Sequence, residues 1–114
     1  MASKKRDDVI RSERALDHLM DLLRVPGLGG QERKVAQAVT RKLRSAGCKP
    51  GWISYDDAPS RIAQRMEIGN LIVKIPGSVP GPRLLFASHM DTVPLCKGAV
   101  PVRKGTRIVS EGST

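Results

Sequence analysis

The stretch LLFASHMDTVP, residues 84–94, decides the fold. Its first five residues are apolar or small, they do not alternate with polar residues, and the run is too short for a helix. A run of this kind is typical of a β-strand that is covered on both faces, as in layered α/β sheets. The sequence therefore predicts a buried strand over residues 84–88, with His89 and Asp91 just beyond its carboxyl end.

Two amphipathic helices are predicted before this strand. Apolar residues recur at three- and four-residue spacing over residues 9–23 and again over residues 31–46, which places one apolar stripe along each helix. Pro26 and the glycines after it end the first helix, and Gly47 ends the second. These helices supply apolar faces that can pack on a sheet.

Further strands are predicted on both sides of residues 84–88. GWISY (51–55) and NLIVKIP (70–76) have β-type composition, residues 56–67 have the composition of a loop, and the tail is expected to form a hairpin around Lys104 and Gly105. Helices followed by strands, with one strand covered on both faces, predict a layered α/β domain. With 114 residues, the chain has room for one modest domain.

The charge balance raises the alternative of a small basic binding module without enzymatic activity. Twenty Lys and Arg against 11 Asp and Glu give a net charge of +9, which attracts phosphates or acidic surfaces. The basic residues are spread along the chain with no recognised nucleic-acid signature, which favours solvated charge over a nucleic-acid partner.

Cysteine content and the distribution of apolar residues indicate the cellular compartment in which the protein is expected. Two cysteines, Cys48 and Cys96, do not form the dense framework of a small secreted domain, so a reducing compartment is expected. The amino terminus is charged where a signal peptide is apolar, and no apolar run approaches the length of a membrane span. We therefore expect a cytoplasmic protein without a membrane partner.

His89 and Asp91 are the candidate functional residues. If the chain stays extended through Met90, both side chains project to the same side. The pair then fits a general-base histidine oriented by a carboxylate, or a metal-ligating histidine held through its second ring nitrogen. Cys96 is the only cysteine near the pair in sequence, and nothing in the sequence activates it. A core histidine whose hydrogen bonds Asp91 satisfies, with no further role, also fits the spacing.

The string SHMDTVP, together with GNLIVKIPG and LLRVPGLGGQERKVAQAVTRKLRSAG, resembles the N-terminal part of a zinc peptidase family. That family contains peptidase T, aminoacylase, carboxypeptidase G and succinyl-diaminopimelate desuccinylase, and the peptidase T-like enzymes look most similar. The resemblance covers residues 12–110 in order. It implies a three-layer α/β/α catalytic domain with a mixed sheet, incomplete here, over residues 9–114, preceded by a basic arm over residues 1–8.

The resemblance also implies roles for the two candidate residues. His89 matches the family's first zinc ligand, and Asp91 matches the acid that orients this histidine without binding metal. The implied enzyme is a cytoplasmic hydrolase, such as an aminopeptidase, that acts on small peptides or N-acyl amino acids. The family's bridging aspartate, its glutamate base and its other ligands have no matching positions here. We therefore expect this chain to be a truncated, inactive metallopeptidase whose incomplete sheet favours self-association.

Overall fold

The computed structural model describes residues 12–112. This part of the chain contains two α-helices and four β-strands, so the fold is mixed α/β, as predicted, and fits an incomplete α/β domain. In chain order these are α1 (Ser12–Leu23), α2 (Arg33–Ser45), β1 (Ile53–Tyr55), β2 (Leu71–Val73), β3 (Val100–Lys104) and β4 (Arg107–Glu111). The predicted basic arm and residues 9–11 of the first predicted helix lie outside the described residues.

Both predicted helices are confirmed within this range. Val35, Ala36 and Ala38 of α2 are buried and form the apolar core, and Pro101 of β3 is also buried. Gly47 follows α2 with a φ of 97°, a left-handed conformation that glycine adopts without steric cost. The glycine that the sequence analysis placed at the end of the helix therefore has a specific backbone role.

The strands form two separate antiparallel pairs. β1 pairs with β2, with Ile53 opposite Val73, and β3 pairs with β4, with Lys104 opposite Arg107. The predicted hairpin is confirmed, and Gly105 in its two-residue turn has a φ of 58°. The first predicted strand is shorter than expected because residues 50–52 form a 3₁₀ turn.

The predicted buried strand over residues 84–88 is wrong for this structure. These residues form neither a helix nor a strand, and Leu84, Leu85 and Phe86 are 79%, 91% and 90% exposed. A strand is covered only where other elements supply hydrogen-bond partners and apolar surface. No element among residues 12–112 supplies them to residues 84–88.

The helices are tied together by a polar contact rather than by a deep core. Lys42 of α2 extends its Nζ to Asp21 Oδ2 of α1 at 2.7 Å and to His18 Nδ1 at 3.0 Å. His18 lies at this helix contact. Within residues 12–112, no helix combines the length and apolar character needed to cross a bilayer.

Candidate metal-binding site around His89

His89 and Asp91 lie together, as the alternation of side chains predicted. The Nδ1 atom of His89 is 2.9 Å from the backbone oxygen of Asp91 and 3.2 Å from its carboxylate Oδ1. The predicted proximity of the two residues is therefore confirmed, whereas their roles stay predictions.

The oxygen atoms of Asp91 next to His89 Nδ1 indicate which ring nitrogen of His89 carries the proton. The backbone oxygen of Asp91 is an acceptor, so the Nδ1–H group of His89 donates to it, and the carboxylate Oδ1 of Asp91 lies nearby at 3.2 Å. The lone pair of the neutral imidazole then lies on Nε2. Because the side chain of His89 is 82% exposed, Nε2 is accessible to a ligand from solvent. Metal-binding histidines commonly donate their other ring N–H to a backbone carbonyl or a carboxylate, and His89 has both kinds of oxygen beside Nδ1.

The residue after Asp91 fixes the segment to the loop between α1 and α2. Thr92 donates its backbone N–H to the carbonyl oxygen of Gly27 at 2.8 Å and its hydroxyl to the same oxygen at 3.1 Å. Leu28 and Thr92 form a parallel β-bridge. A Cβ atom added at Gly29 would lie 3.8 Å from Asp91 Oδ2, so the loop passes close to the carboxylate. The position of Asp91 thus depends on a contact more than sixty residues away in sequence.

Glu32, just before α2, is hydrogen-bonded to the loop that contains Gly29 and Gly30. It is 7% exposed, and its Oε1 accepts the backbone N–H of Gly30 at 2.9 Å, while its Oε2 has no hydrogen-bond partner among the described residues. Sequence reasoning missed Glu32, because nothing in the pattern distinguishes it from the exposed charges beside it. Its burial depends on how α2 packs beneath the loop.

A groove runs from the Gly29–Gly30 turn past β2 to residues 85–91 and has a volume of about 740 Å³. Glu32, His89 and Asp91 all contribute to its lining.

The described residues outside the pair do not complete a metal site. Across residues 12–112, no group of three or more His, Cys, Asp or Glu side chains converges as metal ligands. Cys96 is exposed and His18 is engaged with Lys42, so neither joins His89 and Asp91 in one ligand set. His89 fits the role of one metal ligand, and the structure describes no complete set.

Two loop carboxylates, Asp56 and Glu67, accept hydrogen bonds from residues distant in sequence. Asp56 accepts hydrogen bonds from the side chain and backbone N–H of Asn70, both at 2.8 Å, and from the backbone N–H of Ala58 at 3.2 Å. These donors, the Asn70 side chain foremost, hold the pKa of Asp56 below its usual range. Glu67 accepts the backbone N–H of Arg33 at 3.2 Å. These contacts join loops to neighbouring elements.

Comparison with known proteins relates the chain to a peptidase. It is 28% identical over 117 residues to a protein of Aspergillus terreus named “Probable carboxypeptidase”, a match that covers 99% of this chain and 26% of that protein. It is 24% identical over 106 residues to “Uncharacterized protein YqjE” of Bacillus subtilis, covering 93% of this chain and 27% of that protein. The chain is therefore similar to a probable carboxypeptidase. It spans about a quarter of the length of these relatives.

Family models and solved structures add nothing to this relationship. No family model matches the chain, and no solved structure matches it.

Proposed function

We propose that this chain is the N-terminal part of a peptidase T-like zinc metallopeptidase that hydrolyses small peptides or N-acyl amino acids. The observation that carries the proposal is the contact between His89 Nδ1 and Asp91, which leaves Nε2 free and exposed. The similarity to a probable carboxypeptidase supports the same class of reaction.

In this proposal His89 binds zinc through Nε2, and Asp91 fixes the ring by accepting from Nδ1–H. Bound zinc would supply Lewis-acid chemistry, which activates water for attack on an amide carbonyl. A catalytic zinc site usually has three protein ligands, and His89 is the one ligand that we assign. The 114-residue chain alone is therefore proposed to be inactive, and the complete activity requires ligands beyond those assigned.

The size of the groove beside His89 is consistent with a small-molecule substrate. Its volume of about 740 Å³ lies within the range of sites for small molecules, about 300–1,000 Å³. Its walls combine backbone of the Gly29–Gly30 turn with apolar side chains of β2. Such a lining can accommodate a short peptide while leaving its amide group near the imidazole.

The alternative of a basic binding module stays a prediction based on net charge. Several cations are already paired with carboxylates, including Lys42 with Asp21, Arg103 with Glu13 and Lys104 with Glu111. These pairs reduce the local positive field that a nucleic-acid surface needs.

Nitrogen NMR of the imidazole rings tests the proposed roles directly. In the metal-free chain, His89 should show the tautomer protonated at Nδ1, and added zinc should shift the Nε2 resonance of His89 while that of His18 stays in place. Asp91→Ala should weaken zinc binding at His89 by about 10- to 100-fold, as the loss of an orienting carboxylate usually does.

Three results would contradict the proposal. A zinc response confined to His18, or an Asp91→Ala variant with unchanged zinc affinity, would reject the assigned roles. Hydrolysis of dipeptides by the 114-residue chain, abolished by His89→Ala, would show that the chain is a complete enzyme.

A further inference from the structure

The segment from Arg83 to Asp91 contains an exposed apolar run and makes no backbone–backbone hydrogen bond among the described residues. Leu84, Leu85 and Phe86 project most of their surface into solvent. Among the described residues, the backbone groups of this segment make no backbone–backbone hydrogen bond and belong to neither antiparallel pair. Adjacent exposed apolar side chains with free backbone donors and acceptors form a template for strand pairing.

We propose that this segment pairs with the same segment of a second copy of the chain as an antiparallel β-ribbon around a twofold axis. Pairing of this kind satisfies the backbone groups and removes the apolar side chains from water in one step. A twofold contact uses the same surface on both copies, so one segment is sufficient. The proposal does not depend on the proposed peptidase function.

Charge complementarity defines the register. With Ala87 on the twofold axis, Arg83 of each copy lies opposite Asp91 of the other, and Leu84 lies opposite Met90. Both ends of the ribbon then carry an opposite-charge pair, and an apolar pair lies next to each. A register centred on Phe86 instead would place Arg83 opposite His89 and would lose both ion pairs.

Three of the four large apolar side chains of the segment lie on the same face of the ribbon. Because side chains alternate along a strand, Leu84, Phe86 and Met90 share one face of the ribbon. Phe86 lies opposite Ser88, which brings the two Phe86 rings into diagonal positions within reach of each other. The net charge of +9 on each copy opposes association, and physiological salt screens this repulsion over about 8 Å.

Sedimentation velocity of the full chain over a wide range of concentration tests the proposal. We expect a reversible equilibrium between monomer and dimer. Phe86→Asp should weaken the dimer at least about tenfold, because it places two charges on the apolar face of the ribbon. Val79→Asp is the matched control, since Val79 is 78% exposed and lies outside the segment, and it should leave the equilibrium unchanged.

A charge exchange tests the register. Arg83→Glu places like charges opposite each other at both ends and should weaken the dimer about tenfold, whereas Arg83→Glu combined with Asp91→Arg should restore it. Far-UV circular dichroism shows whether each variant keeps the fold. A monomer at every concentration, a dimer insensitive to Phe86→Asp, open-ended aggregation or failure of the double variant to restore the dimer would overturn the proposal.

Discussion

Truncation of Val35 tests whether the contact between α2 and Gly27, in the loop between α1 and α2, stabilises the chain. Val35 is 8% exposed, and its Cγ2 packs so close to Gly27 that a Cβ atom at that position would overlap it. Gly27 in turn accepts both hydrogen bonds of Thr92. Val35→Ala therefore removes support from the same loop that positions Asp91.

The expected cost follows from the burial. Val35→Ala removes two methyl groups, each contributing about 0.8 kcal/mol when buried, which gives about 1.5 kcal/mol at the observed exposure of 8%. The cavity left beneath Gly27 adds to this loss, so we expect about 2 kcal/mol less free energy of unfolding. In urea, a chain of this size should then unfold at a concentration lower by roughly 1–2 M.

Urea unfolding followed by circular dichroism measures the effect, with Val79→Ala as the control. Val79 is 78% exposed, so its truncation should cost less than about 0.5 kcal/mol. Equal shifts for the two variants would refute the inference that Val35 is a core residue. A slope of unfolding free energy against urea that differs strongly from that of the parent chain would show that Val35→Ala changes more than local packing.

Two further predictions concern the loop that ends at β2. The pKa of Asp56 is lowered mainly by hydrogen bonds from Asn70, so its contribution to stability is present above the ordinary carboxyl pKa of about 4 and is lost as the pH falls through the lowered value. Asp56→Asn should flatten the pH dependence of unfolding in this acidic range, and an unchanged profile would contradict the assignment. Gly69→Ala would place a Cβ atom against the backbone oxygen of Asp56 and should cost about 1–3 kcal/mol, measured by thermal unfolding. Gly81→Ala, where an added Cβ meets no atom within 4 Å, is its control, and equal stability of the two variants would show that Gly69 is not confined.

Much of the candidate site could be predicted from local sequence. The alternation of side chains along an extended chain places His89 and Asp91 on one side, and the structure brings the Nδ1 and Oδ1 atoms to 3.2 Å. The partners that hold this segment could not be predicted in the same way. Thr92 contacts Gly27, and Glu32 is buried beneath Gly30, because distant elements pack together and not because of any local pattern.

The sequence by itself determined the two helices and the terminal hairpin, because apolar spacing and a glycine in a two-residue turn act over only a few residues. It also determined the pairing of His89 with Asp91. Only the tertiary structure decided that residues 84–88 are exposed, that Glu32 is buried and that Asp56 holds Asn70. The apolar composition of residues 84–88 predicts that these side chains are buried. Burial requires apolar surface from other elements, however, and the described elements leave Leu85 and Phe86 in solvent.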